Sequence, residues 1–223
     1  MTPAEFLDGV RSRFEAPWLE RAVAEVDRVM EGDGGHDFGH LYRVFCNALH
    51  IVEADASAAD MPAIVAAVIF HDIVNLPKNH PERHTASSLS ADHATRFLAA
   101  DGGLDLELIA EAIRCHSWSA GLTPVSYEAQ VVADADNLES VGAFGIARTF
   151  YVAGRMGGAI VNMADPHGEE RELDDRSFAI DHFHKKLLKL REHMHTDAGR
   201  ALADQRHQVM LDFLAQLDRE IAI

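Results

Sequence analysis

Apolar residues recur along most of this chain at the three- and four-residue spacing that one face of an α-helix produces. The clearest example spans residues 37–54, in which the apolar positions sharing a face are Phe38, Leu41, Val44, Phe45, Ala48, Leu49 and Val52. Asp37 is of a type that caps helix starts, and the glycines at 32, 34 and 35 mark a preceding loop. The pattern therefore predicts a helix that begins at Asp37.

A second segment, residues 62–71, is apolar on every side and carries Pro62 in its first turn, which predicts a central buried helix. The same spacing predicts further helices over 3–15, 17–31, 84–100, 105–115, 127–155 (broken near its glycines), 177–193 and 197–221. Strand alternation is weak everywhere. The polar stretch 162–176 predicts a solvated loop rather than a domain boundary. The sequence as a whole predicts a single all-α domain.

Composition narrows the classes of function. The chain has 223 residues, 48% of them apolar and 25% charged, which is ordinary for a soluble globular domain. Its net charge of −16 argues against binding duplex nucleic acid or an anionic membrane, both of which require a basic face. A small anionic ligand remains possible, because a metal ion and local cations can override the overall field.

Targeting and redox features are sparse. The N-terminus lacks a basic region followed by an apolar one, and the longest apolar run, 63–70, is far shorter than the roughly 20 residues that span a bilayer. We therefore expect a cytoplasmic protein without a membrane partner. Cys46 and Cys115 lie in apolar helical stretches, which predicts buried thiols rather than a disulfide.

The most informative segment is Ala-Ala-Val-Ile-Phe-His-Asp, in which the buried helix ends in His71 and Asp72. Burying even a neutral polar group without a hydrogen bond costs on the order of 2–7 kcal/mol. A buried carboxylate without a partner would cost at least several kcal/mol. Something positive should therefore lie against Asp72, and a divalent metal shared with His71 meets that need. The other His-Asp pair, at 36–37, lacks this apolar context.

Further ligands are available on both sides of this segment. His40 lies at the edge of the apolar face of the helix over 37–54. Asp134 and Asp136 interrupt an apolar run and face different directions on a helix, so that one of them can face an ion in the core. Such a mixed nitrogen and oxygen shell suits manganese, iron, cobalt or magnesium better than structural zinc.

The order of His40, His71-Asp72 and Asp136 resembles that of the HD-domain superfamily of metal-dependent phosphohydrolases. The segments that carry the resemblance are Gly39-His-Leu-Tyr-Arg-Val44, Ala66-Ala-Val-Ile-Phe-His-Asp72 and Ala133-Asp-Ala-Asp-Asn-Leu138. The chain looks most similar to the small, single-domain bacterial branch that includes nucleotide pyrophosphohydrolases, and the similarity covers roughly residues 36–220. It extends through Leu76-Pro-Lys78, Arg83, Ala86–Ala91 and Val141–Arg148.

The resemblance implies one divalent ion, with Mn²⁺ favoured over Mg²⁺ or another ion, held by His40, His71, Asp72 and Asp136. It also implies one compact HD-type helical bundle over residues 1–223. Within it, N-terminal helices occupy 1–35, the metal-binding core occupies 36–155, and a C-terminal loop and helices occupy 156–223. The implied reaction is hydrolysis of a phosphate ester or anhydride.

Two departures from related enzymes bear on the substrate. Superfamily members that hydrolyse the stringent-response alarmone carry a Glu-Asp pair soon after the His-Asp, whereas Ile-Val-Asn75-Leu-Pro follows here. The related 5′-nucleotidases place a glutamate where this chain has Asn75. The first departure weighs against alarmone hydrolysis. The second means that the acid proposed for those nucleotidases is missing here, so this comparison does not identify the general acid or base.

Other candidate residues complete the hypothesis. Asp72 is expected to be catalytic as well as a ligand. His116 ends a helix between two ligand segments, and similar enzymes have a histidine there that faces the substrate or a second metal; we expect it to donate a proton. Lys78, Arg83 and Arg148 are expected to contact phosphate, with ordinary surface ion pairing as the alternative.

The predicted reaction converts a nucleoside triphosphate to a monophosphate and pyrophosphate. Three alternatives remain open at this point. They are a phosphomonoesterase or cyclic-nucleotide phosphodiesterase, a non-catalytic nucleotide-sensing module with a structural metal, and a di-iron oxygenase, for which His116 is the clearest extra ligand. The sequence does not predict the oligomeric state.

Overall fold

A computed structural model of the chain describes residues 1–30, 37–76, 80–117 and 120–221. The α-helices in these ranges are α1 (Pro3–Arg11), α2 (Leu19–Val29), α3 (Phe38–Asp55), α4 (Met61–Phe70), α5 (Ala86–Leu98), α6 (Leu106–Cys115), α7 (Tyr127–Asn137), α8 (Gly142–Arg155), α9 (Ala179–Lys185) and α10 (Asp197–Ile221). Short 3₁₀ segments lie at Arg83–Thr85, Leu138–Ser140 and Leu187–His193.

The predicted all-α class is confirmed for the described ranges. Their β-structure amounts to one isolated bridge between Ala159 and Phe178. None of the described helices combines the length and the apolar character that crossing a bilayer requires. The chain divides into two compact units, Met1–Asp136 and Asn137–Ile223, and the sequence-based division into an N-terminal, a core and a C-terminal part stays a prediction.

The first unit is organised around α4. This helix starts with an Asp60 side chain that accepts a hydrogen bond from the Ala63 N–H at 3.0 Å, with a proline in its first turn. Every residue from Ala63 to Phe70 is buried, because α2, α3, α5 and α6 pack around it. Because His71 and Asp72 directly follow this buried helix, they lie next to the interior of the protein.

Two glycines explain where the predicted break within residues 127–155 lies. The break predicted within 127–155 falls between the end of α7 and Gly142, where the backbone adopts the left-handed region at φ 74°. Gly145 follows one turn into α8, and a Cβ there would come within 2.3 Å of the Ser140 carbonyl oxygen. Glycine therefore permits both the turn and the close approach.

The second unit packs α8, α9 and α10 around Phe150, Phe183 and Phe213, whose ring centroids lie 5.8–6.2 Å apart. Residues 162–176, between α8 and α9, form a loop and are all partly or fully exposed, as their polar composition predicted, but one of them anchors the loop to α9. The Arg171 guanidinium makes a bidentate pair with the fully buried Asp181, at 2.5 and 2.9 Å, and stacks on the Phe178 ring. The Arg171 hydrogen bonds hold the pKa of Asp181 below its usual range.

The cysteines also differ from the expectation. Neither forms a disulfide, as predicted, but Cys46 is exposed and Cys115 is partly exposed. Cys46 points away from the buried face of α3, which is formed by residues such as Val44, Phe45 and Ala48. Apolar neighbours in the sequence were therefore a poor guide to burial at this position.

Candidate metal centre

Five side chains converge at one end of α4, within the first unit. They come from four helices or helix ends and are His40 on α3, His71 and Asp72 after α4, His116 after α6, and Asp136 on α7. All four ligands that the resemblance implies are among them, together with the expected proton donor. Two overlapping groups, one of His40, His71 and Asp72 and one of His71, His116 and Asp136, each have their donor atoms within 4.8 Å of one another.

The donor atoms lie close to the spacing of a coordination shell. The His40 and His71 Nε2 atoms are 3.2 Å apart. Asp72 Oδ2 lies 3.5 Å from His71 Nε2 and 3.7 Å from His40 Nε2, and Asp136 Oδ1 lies 3.8 and 3.4 Å from the same atoms. An octahedral ion with ligands at about 2.1 Å holds neighbouring donors about 3 Å apart, so these four side chains need to move by only a fraction of an ångström.

Helix caps place the first histidine. The Asp37 side chain caps α3 by accepting a hydrogen bond from the His40 N–H at 2.8 Å, as its position predicted. The first His-Asp pair of the sequence thus contributes a capping aspartate, and His36 lies outside the described residues. His40 is then the third residue of α3, with only 1% of its surface exposed.

Backbone carbonyls fix the orientation of two imidazoles. His71 Nδ1 donates to the Val68 carbonyl oxygen at 2.8 Å, and His116 Nδ1 donates to the Ile113 carbonyl oxygen at 2.7 Å. Each carbonyl belongs to the last turn of the preceding helix, where carbonyls generally have no N–H partner along the helix. Since a carbonyl only accepts, a proton is assigned to Nδ1 of each ring, so that Nε2 of both His71 and His116 faces the cluster.

The electrostatics favour that neutral form for His71. Burial lowers its pKa to about 4, with the attraction of Asp72 only partly opposing the effect. His71 is therefore uncharged at pH 7 and offers a lone pair to a cation. The His40 and His71 Nε2 atoms face each other at 3.2 Å, a separation that a shared cation or proton makes favourable.

At Asp136 and His116, neighbouring charges outweigh the effect of burial on the pKa. Burial tends to raise the pKa of Asp136, but the neighbouring His71, His40 and His116 lower it overall. Burial tends to lower the pKa of His116, but the hydrogen bond and charge of Asp72 outweigh this and raise it. Asp136 is thus kept ionised, and His116 retains a proton more readily than an ordinary histidine.

This donor set fits a divalent cation. Three imidazoles and two carboxylates, without a cysteine, form the mixed shell that first-row ions and Mg²⁺ accept. Asp134 is fully buried but belongs to neither donor group, although the residue pattern alone left it equivalent to Asp136. Residues two positions apart on a helix point about 200° apart, which explains why only one of Asp134 and Asp136 faces the histidines.

Two of the three expected phosphate contacts, Arg83 and Arg148, are among the described residues. Arg83 is in the 3₁₀ segment before α5, and its Nη1 donates to the Leu76 carbonyl oxygen at 2.5 Å. Arg148 lies half-buried on α8 in the second unit. Lys78 lies outside the described residues. Phosphate binding by these three residues stays a prediction.

The chain is similar to known proteins over the region that contains the cluster. A family model described as HD domain matches residues 37–141, a range that contains all five clustered side chains. The uncharacterised protein YpgQ of Bacillus subtilis strain 168 is 32% identical over 189 residues, covering 84% of this chain and 85% of that protein.

Solved structures show the same similarity. The crystal structure of B. subtilis YpgQ in complex with ADP is 30% identical, with a TM-score of 0.63 over 99% of this chain and 97% of that one. A Bacillus thuringiensis protein described as an HD-superfamily hydrolase is 25% identical, with a TM-score of 0.67 over 98% of both chains. These similarities support a hydrolase.

If the cluster binds a divalent ion, Mn²⁺ should stabilise the folded chain. A hundredfold excess over the dissociation constant should raise the melting temperature by about 5–10 °C, and His40→Asn should abolish most of that rise. Thermal melts with and without Mn²⁺ measure it. The matched control is His50→Asn, on the same helix but outside the cluster, which should respond as the wild type does; an equal response from both variants would contradict a site at His40.

Proposed function

This chain belongs to the HD-domain superfamily, and on that premise we propose that it is a metal-dependent phosphohydrolase acting on nucleotides. The proposed reaction cleaves a nucleoside triphosphate to a monophosphate and pyrophosphate. The observation that carries the proposal is the cluster of His40, His71, Asp72, Asp136 and His116, whose donor atoms face one another at the end of a buried helix.

His40, His71, Asp72 and Asp136 would hold one divalent ion, with Mn²⁺ favoured and Mg²⁺ the alternative. Such an ion supplies Lewis acidity, which makes a water a stronger nucleophile and polarises a phosphoryl oxygen. The protein supplies the shape of the site. His40 and His71 are buried, whereas the Asp72 and Asp136 side chains are 19% and 23% exposed, so that substrate would approach on the carboxylate side.

Asp72 would join the ligands to the acid–base group. Its Oδ2 faces the His40 and His71 nitrogens, while its Oδ1 lies 3.5 Å from His116 Nε2. The Ile113 carbonyl holds the other ring nitrogen of His116, so the imidazolium proton at Nε2 points towards Asp72 and the cluster. His116 would then donate this proton to the departing phosphate oxygen.

Cationic side chains would offset the charge of the phosphates. We assign this role to Lys78, Arg83 and Arg148, following the general electrostatic requirement of phosphoryl transfer. A guanidinium has five N–H donors, so the bond from Arg83 to Leu76 leaves donors for a phosphate on the same side chain.

The nucleotide part of the proposal draws on the relatives. B. subtilis YpgQ, which is similar to this chain over nearly its whole length, was crystallised in complex with ADP. A nucleoside diphosphate bound to such a relative supports a nucleotide as the class of substrate here. The acidic balance of this chain, at −16, is compatible with it only if a bound cation offsets the repulsion.

A panel of nucleoside triphosphates, nucleoside monophosphates and cyclic nucleotides, each with Mn²⁺, tests the reaction. We expect pyrophosphate and a monophosphate as products, with no turnover by Asp72→Asn. Separate assays of pyrophosphate and orthophosphate read the outcome. Orthophosphate released from a nucleoside monophosphate would favour a phosphomonoesterase, and hydrolysis of a cyclic nucleotide would favour a phosphodiesterase. Binding without turnover would favour the sensing module.

The role of His116 gives a separate prediction. His116→Gln should lower kcat by about 10²–10⁴-fold while Mn²⁺ still binds, because the proton donor is lost and the ligands remain. In the wild type, kcat should fall as the pH rises through the elevated pKa of His116, since the protonated form is the active one. That alkaline fall should be absent from the residual activity of His116→Gln and retained in His50→Gln. Loss of Mn²⁺ from His116→Gln would instead identify the histidine as a ligand.

A further inference from the structure

Two of the clustered carboxylates are attached to backbone at helix ends. Asp72 follows the last residue of α4 by two positions, and Asp136 is the last residue but one of α7. Helix ends leave carbonyls and N–H groups without partners along the helix, and they fray more readily than helix interiors. Some other group must hold these segments if the carboxylates are to stay in place.

Asn47 holds the segment that carries Asp136. Its Nδ2 donates to the Ala135 carbonyl oxygen at 3.0 Å, in a site where Asn47 is only 7% exposed. Asn47 lies two helical turns beyond His40 on α3, so both project from the same side of that helix. A single buried amide thereby links the helix of one expected ligand to the residue preceding another.

Ser90 holds the segment that carries Asp72. Its Oγ accepts a hydrogen bond from the Val74 N–H at 3.1 Å and donates to the Val74 carbonyl oxygen at 3.4 Å. Ser90 lies on α5 and is fully buried. Both backbone polar groups of a residue two positions after Asp72 are therefore held by one side chain.

Ser87 shows that a buried serine need not act in this way. It lies one turn earlier on α5 and is 3% exposed, and its Oγ has no hydrogen-bond partner among the described residues. Burying a hydroxyl without a hydrogen bond is unfavourable, whereas the Ser90 hydroxyl bonds to two backbone groups. The two serines thus differ in what they hold, although helix, residue type and burial are shared.

We propose that Asn47 and Ser90 are positioning residues, which hold Asp136 and Asp72 at the histidine nitrogens through the backbone beside each carboxylate. The proposal rests on the metal centre of the proposed function. Without these hydrogen bonds, the carboxylates would have to be ordered when the ion binds, and that ordering would weaken binding. Partners that orient ligands in this way typically change metal affinity by about 10- to 100-fold.

The test compares matched variants by their affinity for Mn²⁺. Ser90→Ala and Asn47→Leu should raise the Mn²⁺ dissociation constant by about 10- to 100-fold, while Ser87→Ala should bind as the wild type does. Electron paramagnetic resonance of unbound Mn²⁺ gives the constant on folded protein, well below the melting temperature of each metal-free variant. Ser90→Cys and Asn47→Ala serve if either first choice does not fold.

The outcomes separate this proposal from the proposed function. Dissociation constants of Ser90→Ala and Asn47→Leu equal to that of Ser87→Ala, even with lowered melting temperatures, would overturn positioning and assign these residues to stability alone. A wild type that binds Mn²⁺ but hydrolyses no nucleotide would contradict the function and leave the affinity comparison decisive. A wild type that does not bind Mn²⁺ would overturn positioning as well.

Discussion

Compensation of buried charge at the end of α4 is the constraint on which the rest of this structure depends. Asp72 and Asp136 bring two carboxylate charges to the five clustered side chains. Uncompensated charge in such a place costs several kcal/mol or more, and a divalent cation would balance these two charges and use the lone pairs of the histidines. Burial lowers the pKa of His71, whereas the nearby Asp72 raises the pKa of His116 in spite of burial.

The helices serve that constraint in a definite way. An apolar helix, buried from Ala63 to Phe70, delivers a His-Asp pair to the interior, and the ends of α6 and α7 and the start of α3 meet it there. Helix ends are suited to this task because their carbonyls orient the imidazoles of His71 and His116. The same helix ends have backbone groups without partners along the helix. Asn47 and Ser90 supply hydrogen bonds to the backbone there.

Much of this could be predicted from the sequence, because helical periodicity and burial are local signals. The apolar run before His71-Asp72, the cap at Asp37 and the break before Gly142 are all visible in the residue order. The choice of Asp136 over Asp134 needed the family resemblance, since the pattern alone treats the two alike. Asn47 lies within the apolar stripe of α3, and a polar residue in such a place indicates a buried hydrogen bond. Helical periodicity alone does not predict that bond. The pairing of Arg171 with Asp181 had no periodic signal at all.

The most direct test is a crystal structure grown with Mn²⁺ and measured with anomalous scattering. The account predicts an anomalous peak about 2.2 Å from donor atoms of His40, His71, Asp72 and Asp136, with His116 Nε2 directed at the open side. The absence of a peak at this cluster under saturating Mn²⁺ would contradict the account. So would a crystal structure in which these four side chains do not coordinate the ion in any copy of the chain.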